Sequence, residues 1–224
     1  QTVCSSDLIP IPAVCVGKED GMELKKQLQN GPLYSHIQMT NHSGLIKARN
    51  VIATIKGKTI PNEKIVVGGH LDSWDLATGA MDNGIGSFSV LDMARTFKAL
   101  KLQPARTIDF VMFMGEEEGL LGSRAYVDAS IKDKSIDQIR YMLNYDMTND
   151  PKGYHTSDAD SKELFESIGK IANQLDSNFK NTFSVGAGLH SDHQPFMLHG
   201  VPTGGGAGGS LPKGAGRSEE HTSE

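Results

Sequence analysis

The sequence predicts an α/β fold: a three-layer sandwich with a mixed, mainly parallel sheet covered by helices on both faces. Three observations predict it. Short apolar runs of strand character alternate with longer segments of helical spacing. A length of 224 residues suits one such domain, or one domain plus a fragment. The histidine and acids able to carry chemistry fall directly after apolar runs, where ligands gather in open α/β sheets.

Taken in order, Ile9-Pro10-Ile11-Pro12-Ala13-Val14 is a short apolar segment, and Lys18 to Leu24 opens a short helix that stops at Asn30-Gly31-Pro32. Residues 33–48 alternate loosely through Tyr34, His36 and Gln38, which predicts a strand with a turn at Asn41-His42-Ser43-Gly44. This first piece is too short to bury its own core. From Asn50 the rhythm changes. Val51 to Ile55 is a strand, Lys58 to Glu63 a turn, and Ile65 to Gly69 a buried strand that ends at His70. Asp82 to Leu100 predicts a helix, with Ile85, Phe88, Leu91, Phe97 and Leu100 at helical spacing. Thr107 to Met114 is an apolar strand interrupted by Asp109, and Tyr141 to Tyr145 is another. Lys162 to Leu175 is helical, with Leu164, Ile168 and Ile171 along one face. Gly204 to Gly216 reads as a flexible linker or a distorted end. No internal repeat is visible.

Composition narrows the function. Hydrophobic residues at 38% and charged residues at 22% describe a globular chain. A formal net charge of −5 argues against a nucleic-acid partner. No apolar run approaches the roughly 20 residues that span a bilayer. Two cysteines, Cys4 and Cys15, make neither a disulfide scaffold nor a four-cysteine zinc site; whether they pair is open. The chain opens at Gln1 with no signal peptide, as a processed chain or a fragment does. Asn41-His42-Ser43 is a glycosylation sequon. At the other end, Arg217 to Glu224 matches the translation of a common sequencing adapter and is expected to be a non-native tail.

The chemistry should sit among acids and histidine. His70 and Asp72 follow one strand, Glu116, Glu117 and Glu118 a second, and Asp146 a third, while Asp82 opens the helix after His70. One histidine with several carboxylates is a borderline-hard donor set suited to zinc, and a bridging acid makes two metals plausible. Taken singly, each feature has a plainer reading. His70 is a loop residue, Glu116 to Glu118 a solvated charge run, Asp82-Asn83-Gly84 a turn or cap, and Asp146 a strand-end cap. Asp109 is expected to be exposed or paired, not a ligand. His36, His42 and His155 are read as surface residues.

The ordered set Gly69-His70-Leu71-Asp72-Ser73-Trp74, Gly79-Ala80-Met81-Asp82-Asn83-Gly84, Gly115-Glu116-Glu117-Glu118-Gly119-Leu120-Leu121-Gly122-Ser123 and Asn144-Tyr145-Asp146-Met147 resembles the co-catalytic zinc aminopeptidase family. The likeness spans roughly residues 49–203 and is strongest to carboxypeptidase Q-type members. It implies the phosphorylase/hydrolase-like sandwich of those enzymes. Residues 1–48 would be the remnant of an inserted protease-associated domain, 49–216 a C-terminally incomplete catalytic domain, and 217–224 the tail. It implies two zinc ions: His70 binds one, Asp82 bridges both, Glu117 completes one site and Asp146 belongs to the other. Asp72 would orient the His70 ring and Glu116 serve as general base. Ser191-Asp192-His193 matches a segment near the substrate pocket, with His193 divided between pocket lining and a structural hydrogen bond. The family's last zinc ligand, a histidine beyond the strand that here is Gly200-Val201-Pro202, has no counterpart, so one zinc site is expected to be incomplete. The implied function is a metallo-exopeptidase acting on short peptides or dipeptides, secreted, periplasmic or lysosomal, and possibly homodimeric. The alternatives are a non-catalytic binding module of the same fold and a single-zinc glutaminyl cyclase-like acyl transferase.

Overall fold

The computed structural model describes Val14, residues 16–38, Thr40, and residues 44–74, 77–186 and 188–209. Cys4, Cys15, the sequon at Asn41, the segment before Val14 and the 217–224 tail lie outside the described residues. The chain divides into two compact units, residues 1–47 and 48–224.

In the first unit, Lys18–Gln27 forms helix α1, continued by a 3-10 turn to Asn30. Glu19 and Asp20 in its first turn and Lys25 and Lys26 in its last complement the helix dipole. None of its residues is buried. The strand expected over 33–48 does not form among the described residues. A strand needs a neighbour's backbone ladder, and none of the described residues of this unit supplies one.

The second unit holds a seven-stranded mixed sheet in the order β1-β3-β2-β4-β7-β5-β6. The strands are β1 (Val51–Ile55), β2 (Ile60–His70), β3 (Arg106–Phe113), β4 (Ile139–Asn144), β5 (Gly153–Thr156), β6 (Thr182–Val185) and β7 (Thr203–Ala207). The helices are α2 (Ile85–Ala99), α3 (Leu121–Lys132), α4 (Lys162–Leu175) and α5 (His193–Leu198). Strands β3, β2, β4 and β7 run parallel, β1 pairs antiparallel with β3 and β5 antiparallel with β7, and β6 runs parallel to β5.

Alternation along the central strands builds two cores. Val66, Val111, Phe113 and Met142 face one way and pack with Tyr126 and Val127 of α3 and Phe196 of α5. Their sequence neighbours Val67, Phe110 and Leu143 face the other way, toward Val90, Met93 and Phe97 of α2. On the far half, Tyr141, Tyr154, Phe165, Phe179 and Phe183 form an aromatic cluster with ring centroids 4.9–6.3 Å apart.

Several expectations change at this level. The glycines at 204–206 are not linker: they form β7 between β4 and β5, with Gly204 and Gly205 buried. Helix α4 spans the expected residues, but Leu164, Ile168 and Ile171 point outward, and Phe165 and Gly169 are the buried pair. Helix α2 likewise turns Phe88 and Leu91 outward. Its small residues Gly86 and Ser87 face inward, because Ser87 Oγ donates to the carbonyl of His70 and only a short side chain permits that approach. Asp109, expected to be exposed or paired, is paired as expected, and buried: Thr54, Tyr126 and Lys64 surround its carboxylate at 2.6, 2.7 and 2.9 Å. His155 is a half-buried residue of β5, not a surface residue.

Candidate metal centre

Register places the site. His70 pairs with Phe113, and Gly68 with Asn144, so the carboxyl ends of β2, β3 and β4 lie side by side. The chain leaves them carrying Asp72, Glu116, Glu117 and Asp146, and the turn Ala80–Gly84 brings Asp82 to the same edge. The Asp82–Asn83 peptide is cis.

His70 is fully buried. Its Nε2 lies 3.1 Å from Asp82 Oδ1 and 3.3 Å from Asp146 Oδ1, and its Nδ1 lies 2.9 Å from the main-chain oxygen of Asp72. A carbonyl only accepts, so Nδ1 carries the proton and Nε2 is presented to the carboxylates. Among the described residues two groups bring donor atoms within 4.8 Å of one another: His70 with Asp82 and Asp146, and His70 with Glu116 and Glu117. All five expected ligand and base residues are therefore brought together, and the two groups share His70.

The charges of this cluster are unbalanced. Burial of the His70 ring opposes its protonation, but hydrogen bonds to Asp146 and Asp82 and the Glu116 charge outweigh it and hold the pKa at about 11. Burial lifts Glu116 to about 8 against the pull of His70, helped by the charges of Asp146, Asp192 and Glu117. Asp192 is fully buried; burial raises it to about 7, opposed by the Ser123 hydroxyl and the His70 charge. A compact, mostly buried set of one imidazole and several carboxylates fits a divalent cation, which supplies the positive charge the group otherwise draws from the ring.

The expected role of Asp72 is redistributed. Its carboxylate stands 3.9 Å from His70 Nδ1, beyond hydrogen-bond range. It accepts instead from the backbone N–H groups of Gly115, Glu116 and Glu117 at 2.9, 3.1 and 3.0 Å. The contact with His70 is made by its main chain. His193 makes a structural bond, Nε2 to the carbonyl oxygen of Gly188 at 2.8 Å, beside Asn144.

Asn83 is a residue whose importance sequence reasoning missed. Its Nδ2 donates to the Tyr145 carbonyl at 2.8 Å, and its Oδ1 accepts from the backbone N–H groups of Gly86 and Met147, each at 3.1 Å. One amide thus joins the Asp82 turn, the start of α2 and the Asp146 loop. The only sequence signal was an Asn inside a turn-like Asp-Asn-Gly. A separate depression of about 810 Å³ opens beside this turn, walled by Ile85, Phe88, Met93 and Tyr145, and none of the candidate ligands lines it.

An α/β sandwich with a histidine–carboxylate cluster beyond its parallel strands defines the class: a fold built around a candidate metal centre. The profile of peptidase family M28 matches residues 50–223, and the chain belongs to that family. It is 28% identical over 202 residues to carboxypeptidase Q of Xenopus laevis, covering 88% of this chain and 42% of that protein. It is 33% identical over 204 residues to an aminopeptidase of Bacillus subtilis, with the same two coverages of 88% and 42%. Among solved structures, a zinc aminopeptidase from Bacillus subtilis superposes with a TM-score of 0.60 at 28% identity, over 76% of this chain and 44% of that one. The chain thus spans about two fifths of the length of the curated relatives it matches. No helix among the described residues is long and apolar enough to cross a membrane.

Proposed function

We propose that the protein is a zinc-dependent exopeptidase hydrolysing terminal peptide bonds of short peptides or dipeptides. The observation that carries this reading is the approach of His70 Nε2 to Asp82 and Asp146, with Glu116 and Glu117 in the same cluster. Membership of the M28 family and the zinc named in the Bacillus subtilis relative support it. His70, Asp82 and Asp146 would hold one ion, and Asp82 with Glu117 would serve a second. Residues 1–48 are read as the remnant of an inserted protease-associated domain, and export from the cytoplasm belongs to the same reading.

The chemistry zinc supplies when bound is Lewis acidity, which polarises a scissile carbonyl and makes water more acidic. The protein's own groups do the rest. Glu116 would take a proton from the attacking water. It returns that proton to the leaving amine as the C–N bond breaks. The His70 ring is held in one tautomer by the Asp72 main chain. The strand ends exclude bulk water from one side of the cluster, since His70, Asp82 and Glu116 are all buried.

The test is metal content by mass spectrometry together with turnover of a dipeptide panel, for the full-length protein and for its Glu116→Gln variant. Expected are bound zinc in both and turnover lost in the variant by roughly 10²–10⁴-fold. A chain that takes up no zinc overturns the reading in favour of a binding module. Conversion of an N-terminal glutamine in the panel to a pyroglutamyl residue with loss of ammonia, in place of hydrolysis, would move it to acyl transfer.

A further inference from the structure

The loop that carries Glu116 and Glu117 is poor at holding its own shape. Gly115, Gly119 and Leu120 have φ of 76°, 107° and 64°, and Leu120 is not a glycine. The left-handed region is unfavourable for such a residue. Internal bonds close the loop, from Leu121 N–H to the Gly115 carbonyl and from Gly119 and Leu120 N–H to the Glu116 carbonyl, but they leave open where it points. Two side chains from other segments fix it. Asp72 accepts from the three N–H groups at its front. Across its two ends, Asn50, just before β1, accepts from Met114 N–H at 3.1 Å and donates to the Gly122 carbonyl at 2.8 Å. The fit is close: a Cβ on Gly122 would come within 2.4 Å of Asn50 Oδ1.

We infer that Asn50 is a positioning residue for the general base and its neighbour, clamping both ends of the Gly115–Leu121 loop while Asp72 grips its first three residues. The inference rests on the function proposed above for Glu116 and Glu117. Asn50 touches neither the reacting atoms nor a candidate ligand. It acts by tying the last residue of the strand-side approach, Met114, to the first turn of α3. One amide group supplies both the acceptor and the donor, which an aspartate or an aliphatic residue cannot do.

The experiment is hydrogen–deuterium exchange of the metal-free chain, read by peptide, for wild type, Asn50→Ala and Asn50→Asp. In Asn50→Ala the amides of residues 114–122 exchange roughly tenfold faster while those of β2 and β4 keep their wild-type rates. Asn50→Asp, which retains the acceptor and loses the donor, is intermediate and carries the test if Asn50→Ala does not fold. In the zinc-loaded protein, kcat falls by roughly tenfold with KM little changed. Unaltered exchange in the loop overturns the inference. So does acceleration spread evenly over β3 and α3, which marks Asn50 as a strut of the fold with no bearing on the base. If wild type neither binds zinc nor turns over, the functional reading fails on its own, and loop exchange in the metal-free chain still judges the clamp.

Discussion

His70 Nδ1 lies 2.9 Å from the main-chain oxygen of Asp72, while the carboxylate of that same residue stands 3.9 Å from it and binds three backbone amides of the Glu116 loop. Asp72 therefore performs two tasks with two different groups. Its backbone sets the tautomer of the ring, which any residue at this position could do. Its carboxylate sets the loop, which only an acid does well, because charge-assisted bonds to N–H groups are about twice as strong as neutral ones.

Separating these tasks gives a prediction. Asp72→Asn keeps the main-chain bond to His70 and weakens the loop, since one amide oxygen replaces two carboxylate oxygens and an NH₂ group faces a donor. Turnover is expected to fall by roughly 10–100-fold with the ion at His70, Asp82 and Asp146 retained. Metal content and kcat/KM of the same preparation check it. Loss of the metal along with activity would mean that the carboxylate works through His70 after all.

Removal of the metal is predicted to destabilise the fold as well as silence it. Without the cation, the buried carboxylates clustered around His70 lose the charge that offsets them, and its binding free energy no longer favours the folded chain. A ligand at a hundred times its Kd stabilises by about 2.7 kcal/mol, and in a chain of this size each kcal/mol moves Tm by about 2–4 °C. Chelation should therefore lower Tm by roughly 5–10 °C, restored by adding zinc back, as read by thermal denaturation. Identical melting with and without chelator would show that the cluster binds no ion.

Much of this site was legible before any coordinates, and the reason is physical. Strands with apolar runs, Ile65 to Gly69 unbroken and Thr107 to Met114 interrupted by Asp109, read as central, and residues directly after parallel central strands share an edge. That brought His70, Glu116, Glu117 and Asp146 together from order alone. What could not be read were contacts made by backbone atoms or by one amide to several segments. The Asp72 carbonyl, the Asn83 hub and the Asn50 clamp leave no residue pattern behind them. Helix faces were misjudged for a different reason. The periodicity that marked Phe88 and Leu91, or Leu164 and Ile168, locates an apolar stripe without saying what covers it. In α2 the sheet-facing positions are the small residues that approach the His70 carbonyl.

Asp109 predicts a specific acid sensitivity away from the site. Burial of its carboxyl raises the pKa, but hydrogen bonds from Thr54, Lys64 and Tyr126 and the Lys64 charge outweigh this and hold it below the ordinary aspartate value. A group depressed in the folded state stabilises the protein above its unfolded pKa of about 3.9. That contribution is lost as pH falls through the lower folded value. Asp109→Asn should therefore melt below wild type by a constant margin from about pH 8 to pH 5, equivalent to about 2 kcal/mol. The margin should close below about pH 4. Thermal melts across pH check it, and a margin that persists unchanged at pH 3 would assign the loss to packing instead of charge.

The glycine strand β7 supplies the sharpest structural prediction, because its sequence looked least like structure. Gly204 sits opposite Leu143 of β4 on one side and Thr156 of β5 on the other. A Cβ there would lie 2.6 Å from the His155 carbonyl oxygen and 2.8 Å from Tyr141 Oη. The carbonyl belongs to a paired strand, so it cannot swing aside as a side chain does. Overpacking of this kind costs roughly 1–3 kcal/mol, and Gly204→Ala should lower Tm by several degrees. Because β7 alone connects β4 to the β5–β6 pair in the sheet order, the loss should be local first. Amides of β5 and β6 should exchange faster than those of β2 and β3. Gly44→Ala is the control, since a Cβ there meets nothing within 4 Å and melting should not move. If Gly204→Ala melts with wild type, the side-by-side packing of β4, β7 and β5 is wrong, and the glycine run is the linker its composition suggested.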